Sequence, residues 1–241
     1  MNRTLRISAA ALGALFGVAV IGSAFAPSLG APAALMDWLL GARLALLATL
    51  VVASIAFSGG VALGAASALG PSWLATGTSR ALEVLGALPS VIVAVVVRSL
   101  GPSNFAVFVI VLGALRALST ARAIRSAVLG LEAEEFVLAA RAVGSGPVRL
   151  FRRHLFPHVV GQALSSAALS GAAVVALDAA LSFLGLGSGA HTWGDQIAEA
   201  ARHQPFGVAL FPLLGLAFVV AALHSIADAL ESRFRLRRRF L

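Results

Sequence analysis

Long apolar runs alternate with short polar breaks along the chain. Six runs stand out, at about residues 5–26, 42–69, 81–99, 105–121, 159–181 and 206–230. Each approaches or exceeds the roughly 20 residues a helix needs to cross the hydrocarbon core of a bilayer. The second is long enough to tilt or to project beyond it. The pattern therefore predicts an all-α integral membrane protein with six transmembrane helices. Gly59, Gly60 and Gly64 in the second run, with Gly13 and Gly17 in the first, predict close helix–helix approach. Pro89 lies inside the third run and predicts a kink, whereas Pro71, Pro102 and Pro205 punctuate the breaks. No internal repeat or low-complexity linker interrupts this order. Residues 1–241 read as a single transmembrane domain, with a first span at 5–26, a core at about 42–232 and a basic tail at 233–241.

Composition agrees. Of 241 residues 59% are hydrophobic and 12% charged, against about 25% charged in a typical soluble domain. With no cysteine in the chain, no disulfide framework or thiolate metal site can form. The net charge of +8 comes from arginine alone, and its placement excludes a nucleic-acid face. With both termini inside, fourteen arginines fall on the cytoplasmic side and three, Arg43, Arg98 and Arg202, on the outer side. Arg116 sits in the inner half of the fourth run, from where it can snorkel inward. This asymmetry sets a multi-pass topology with cytoplasmic N- and C-termini. The opening "MNRTLR", its apolar run and the "AFA" at residues 24–26 imitate a signal peptide. The run from Ile7 to Ala26 is 20 residues, longer than the usual h-region of about 7–15, and Pro27 follows the would-be cut. The segment is read as a retained helix.

Between the fourth and fifth runs the chain turns polar, reading "EEFVLAARAVGSGPVRLFRRHLFP" from Glu134 to Pro157. Local signals predict two short helices set at an angle. Glu132, Glu134 and Glu135 suit the first turn of one, where the helix dipole favours negative charge. Gly144 is a natural stop for it. Ser145 or Gly146 can cap the next helix, with Pro147 preset for its first turn. That helix carries Arg149, Arg152 and Arg153 and should break before Pro157. A solvated basic loop would not need an Ala139–Ala140 pair, a glycine break and an amphipathic helix in this order. His154 and His158, spaced by four, lack a third ligand nearby, so no metal site is expected.

These residues resemble the EAA loop of ABC-importer permeases, with Ala139, Ala140, Gly144 and Pro157 at the characteristic spacing. Downstream, "LSFLGLG" (Leu181 to Gly187) and "TWGD" (Thr192 to Asp195) are similar to a signature of the dipeptide, oligopeptide and nickel permeases. Upstream, "RALEVLGALPS" (Arg80 to Ser90) resembles that family's opening of the third span. The likeness covers about residues 42–232. It implies a type I ABC importer permease fold in a bacterial inner membrane. It also implies partners: a second homologous permease, one or two cytoplasmic ABC ATPases and an extracytoplasmic substrate-binding protein, besides membrane lipid. The loop would dock on the ATPase through Ala139, Ala140, Arg141, Gly144, Pro147, Arg149, Arg152, Arg153 and Pro157. This chain carries no GxxxxGK[ST] motif, so ATP and Mg²⁺ would be bound by the partner and no cofactor by this chain. Three departures stand out. Leu138 replaces the motif glutamate, His154 and Phe156 replace aliphatic residues, and the first outer loop, about residues 27–41, is short.

The glycines at 185, 187 and 189 cannot continue a helix well. Backbone freed at membrane depth must be buried in protein or line a watery cavity. Ser182, Phe183, Gly185, Gly187 and Trp193 are therefore candidates for an outer gate; the alternative is an interfacial turn anchored by Trp193. Asp178 can pair with Arg98 or Arg43, or face the pathway. Glu83 and Asp228 are expected to pair with arginines near the inner face. His191, His203, Asp195 and Glu199 are weaker candidates for a cationic cargo. Two rival functions are an ion-coupled secondary transporter, which would need paired broken helices, and an intramembrane hydrolase using Ser170, Ser182 and His224. The cargo stays open among peptides, nickel and other small solutes.

Overall fold

The computed structural model describes residues 3–25, 32–100, 105–203 and 206–237. Among these residues there is no strand. In chain order the helices are α1 (Arg3–Phe25), α2 (Ala33–Leu69), α3 (Ser72–Gly86), α4 (Ser90–Ser99) and α5 (Phe105–Leu131). There follow α6 (Glu135–Ala142), α7 (Pro147–Leu150), α8 (Phe156–Leu181), α9 (Trp193–His203) and α10 (Phe206–Arg237). Five unbroken helical stretches are long and apolar enough to cross a membrane, and α3 with α4 makes a sixth if the bent pair is one span.

The helices outrun the apolar runs because hydropathy marks the bilayer and not the end of the helix. Helix α2 begins at Ala33, so part of the expected outer loop at 27–41 is helical, and α5 continues ten residues past the predicted end at 121. The third run is the largest correction. A helix starts already at Ser72, and the chain then turns by 72° between α3 and α4. Pro89 is the N-cap of α4, with extended backbone, which is sharper than the expected kink. Pro71 caps α3 as expected, while Pro102, Pro205 and tail residues 238–241 lie outside the described residues.

Close approach decides the central packing. A Cβ at Gly60 would lie 2.5 Å from Thr120, and one at Gly64 would lie 2.8 Å from the Ala121 carbonyl, so α2 and α5 meet backbone to backbone. Gly13 and Gly17 do not act this way, since no atom lies within 4 Å of either Cβ position. Three apolar clusters fill the interior. One joins α5, α6, α7 and α8 at the elbow end through Ile124, Val128, Val137, Leu150 and Leu155. A second joins α2, α4, α5 and α8 around Val52, Phe108 and Leu112. A third, at the far end, joins α1, α2, α8 and α10 around Trp193.

Candidate functional site

The polar insertion folds as an elbow. Helix α6 ends in a Schellman turn: the Ser145 N–H donates to the Ala140 carbonyl at 3.0 Å and the Gly144 N–H to Arg141 at 2.9 Å. Gly144 takes φ +81°, the left-handed region that favours glycine. Gly146 then caps α7 with Pro147 in its first turn. Only Glu135 lies in the first turn of α6. Glu132 precedes the helix and pairs with Arg141, bracing the elbow from outside.

Two expectations about this segment change. The chain does not break before Pro157. A π-turn at Phe151–Leu155 carries it straight into α8, with the Phe156 N–H donating to the Phe151 carbonyl. Pro157 then sits in the first turn of α8, where its missing N–H costs little. The consequence is one continuous helical stretch from Pro147 through α8 to Leu181, which then runs into a kinked turn at Ser182–Leu186. Ala140, expected on the docking face, is only 8% exposed and packs into the elbow cluster with Val137 and Leu150. Its small size lets α6 lie close on the chain's own core. Ala139, Arg141, Gly144, Pro147, Arg149, Arg152, Arg153 and Pro157 are exposed. Between them the structure adds Val143, 87% exposed, and Val148, 70% exposed. These two β-branched apolar side chains, held out on a charged elbow, were passed over in reading the sequence. The hint was their position on either side of the Gly144 stop.

At the far end, the glycine-rich turn is a tightly bonded lock. A second π-turn, Ser182–Leu186, ends at Gly185 with φ +85°. Thr192 and Asp195 form a capping box at the start of α9. The Asp195 N–H donates to the Thr192 Oγ1 at 3.3 Å, and the Thr192 N–H to the Asp195 carboxylate at 3.4 Å. The same carboxylate accepts from the Ser182 hydroxyl at 2.8 Å and from Ser188 at 3.1 Å. There is no room for side chains at two glycines here. A Cβ at Gly187 would fall 2.3 Å from the Asp195 Oδ1, and one at Gly194 would fall 2.6 Å from the Ala179 Cα.

Trp193 is 1% exposed. Its ring does not sit at a lipid–water boundary, which removes the aromatic-belt reading; it lies between Gly41 of α2 and Gly215 of α10. Its Nε1 donates to the Trp38 carbonyl at 3.1 Å, and Trp38 Nε1 in turn donates to the Phe211 carbonyl at 3.1 Å. The two indoles thus tie α9 to α2 and α10. Gln196 adds bonds to the carbonyls of Asp37 and His191. Of the turn residues, Phe183 and Leu184 remain exposed.

Asp178 and Arg98 form a buried ion pair, which settles the choice between Arg98 and Arg43. Arg98 is 6% exposed, with its guanidinium 4.0 Å from the centre of the Phe108 ring. Glu83 and Asp228 make no ion pair with any arginine among the described residues. Asp195 is consumed by the capping network, so it is not presented outward with His191 and Glu199. Among the described residues no group of three or more acidic or histidine side chains could hold a metal ion. His158 instead stacks on Phe136, with centroids 5.0 Å apart. The hydrolase constellation is not assembled. Ser170 donates to the Ser166 carbonyl, Ser182 to Asp195, and His224 bonds through Nδ1 to the Val220 carbonyl.

Comparison with known proteins finds relatives of this chain. A Brucella ovis protein named provisionally as a peptide permease is 33% identical over 200 residues, 80% of this chain and 66% of the relative. The dipeptide transport system permease protein DppC of Alkalihalophilus pseudofirmus is 31% identical over 79% of this chain and 64% of its own length. The oligopeptide transport system permease protein OppC of Haemophilus influenzae is 28% identical over 80% and 63%. The chain thus spans a little under two thirds of the length of these relatives. Residues 60–239 match the family described as binding-protein-dependent transport system inner membrane component. That stretch holds the elbow, the long helix and the far-end lock, and the chain belongs to this family of inner-membrane transport components.

Proposed function

We propose that this chain is one permease subunit of an ATP-driven importer, working beside a second, homologous permease. The observation that carries this is the exposed elbow, which runs without a break through a π-turn into the long helix α8. A segment that is stiff, membrane-spanning and exposed at one end suits the transfer of motion from a partner. Cytoplasmic ABC ATPases, one kind or two, would grip Ala139, Arg141, Val143, Gly144, Pro147, Val148 and the arginines at 149, 152 and 153. They hold the ATP and Mg²⁺, and this chain supplies no hydrolytic group. Nucleotide-driven closure of the ATPases moves the rod and switches the transmembrane helices between access states. The elbow and both termini then lie on the cytoplasmic side, and the far-end lock faces outward, toward an extracytoplasmic substrate-binding protein.

Phe183 and Leu184, exposed on a turn that the lock holds rigid, are the outer-gate surface. Asp178, Ser182, Gly185, Gly187 and Trp193 act by framing that turn. Small peptides are the favoured cargo, because the relatives carry peptide, dipeptide, oligopeptide and glutathione names.

The test is purification of the tagged chain from its native membrane in mild detergent, with partners identified by mass spectrometry. An ATPase with Walker motifs and a second permease are expected with the parent. The Val143→Glu/Val148→Glu variant should lose the ATPase and keep the second permease. A parent that arrives alone, or only with copies of itself, would overturn the reading and bring ion-driven transport forward.

A further inference from the structure

Both halves of the broken third span pack on α5, and among the described residues only the far half also carries a charge link to α8. The elbow-side half, α3, is fastened to α5. Arg122 of α5 reaches the Leu82 carbonyl at 3.5 Å, and its guanidinium fills the space beside Gly86, where a Cβ would fall 2.0 Å from Nη1. The far half, α4, has ten residues and begins after the 72° bend at Ala87–Pro89. Its one charged residue, Arg98, lies at its last turn, and the partner there is Asp178, three residues before the end of α8. Asp178 belongs to the continuous stretch that starts at the elbow. From Pro147 to Asp178 that stretch runs 32 residues, about 48 Å at the rise of an α-helix. Arg98 has little else to hold it. Its Nε and Nη1 are buried without hydrogen-bond partners, and the guanidinium otherwise meets the faces of Phe108 and Phe105.

We infer that the Arg98–Asp178 pair is a transmission link, which couples the last turn of the short half-helix α4 to the elbow-driven rod. Arg98 and Asp178 are thus positioning residues for transport, not contacts for cargo. The physical argument is directional. A buried ion pair whose arginine leaves donors unmatched is a poor source of stability, because desolvation offsets much of its attraction. It is nonetheless stiff and specific in a low-dielectric interior, since separating the charges strands both of them. Helix α4 packs on α5 in the cluster around Phe108 and Leu112, and the charge clasp adds a directional tie from its last turn to α8. The Phe108 ring, itself fully buried, keeps water from dissolving the clasp.

The inference rests on the permease reading for its transport consequence but not for its geometry, and the test separates the two. The chain has no cysteine, so Leu100→Cys and Ala180→Cys, both exposed, give one spin-label pair across the link. It is read in the importer assembled with cysteine-free partner subunits. In the parent the α4–α8 distance should be a single narrow distribution, with and without ATP. Arg98→Ala/Asp178→Ala removes the link and leaves no lone buried charge. It should widen that distribution while ATP hydrolysis persists, and uptake per ATP hydrolysed should fall about tenfold, within the usual span of site-to-site coupling. Arg98→Lys, which keeps a charge pair, should recover both readouts in part. A double variant with a distribution as narrow as the parent's would overturn the inference, as would one with unchanged uptake per ATP. A narrow distribution combined with a raised half-saturation for peptide would point instead to cargo contact at Asp178. A parent that hydrolyses no ATP would sink the permease reading, and the distance measurement would then judge the link alone.

Discussion

A methyl group added at Gly194 would lie 2.6 Å from the Ala179 Cα, an atom of the α8 backbone that cannot step aside. Gly77, in contrast, sits in α3 with nothing within 4 Å of its Cβ position. The same substitution should therefore have opposite signs at the two sites. Gly194→Ala forces α9 off α8 and should cost about 1–3 kcal/mol, as overpacking does. Gly77→Ala should gain about 0.5–1 kcal/mol from helix propensity alone. Thermal midpoints of the two purified variants against the parent check the pair, and equal shifts would sink the packing argument. At this scale the sequence was legible where a residue type has one use. Asp178 in a hydrophobic span was expected to pair with Arg98 or Arg43 or to face the pathway, and it pairs with Arg98. Small residues were harder to read, because the same lack of a side chain serves a partner's approach or the chain's own core. Ala140 turned out to serve the core and Gly60 to serve α5, while Gly13 faces open space in this chain.

At the scale of elements, punctuation by glycine and proline was readable and the continuity between punctuation marks was not. Gly144, Gly146 and Pro147 stand where a stop, a cap and a start were expected. Pro157 looked like a break, yet the π-turn before it absorbs the missing N–H and keeps the rod whole. That outcome depends on Leu150, Leu155 and Val159 all finding the elbow cluster, a tertiary demand that no local signal carries. The elbow itself offers a clean backbone experiment. Gly144 has φ +81° and open space around it, so a side chain there meets conformational strain and no steric obstacle. Gly144→Ala should destabilise the Schellman turn by about 1–2 kcal/mol, and Gly144→Asn by less, since asparagine tolerates the left-handed region better. Hydrogen–deuterium exchange of amides 143–146 reads this directly, with the alanine variant about tenfold faster than the parent for a loss near 1.4 kcal/mol. Unchanged exchange would mean that the turn is not what holds the elbow.

For the whole molecule, orientation and mechanism stand or fall together. A permease driven by a cytoplasmic ATPase needs its elbow on the side where ATP is, and fourteen of the eighteen arginines argue for that side on electrostatic grounds independent of the elbow's shape. The two lines of reasoning share a consequence that can be read without any partner or cargo. Val143 on the elbow and Glu199 on α9 are both exposed and lie at opposite ends of the bundle, and the chain has no cysteine of its own to confuse the signal. A membrane-impermeant maleimide added to intact spheroplasts should label Glu199→Cys and spare Val143→Cys, and both should react once the membrane is opened. The reverse pattern would put the elbow outside, away from any ATPase, and would remove the importer mechanism whatever the family membership. Labelling of both sites in intact cells would mean that the far-end lock and the elbow do not lie across a bilayer from each other, and the long helix would lose its role as a transmembrane rod. The expected asymmetry would instead fix the direction of the whole machine. On the proposed mechanism, motion would enter at the elbow by Gly144, pass along α8 and reach the turn at Phe183 on the outer face.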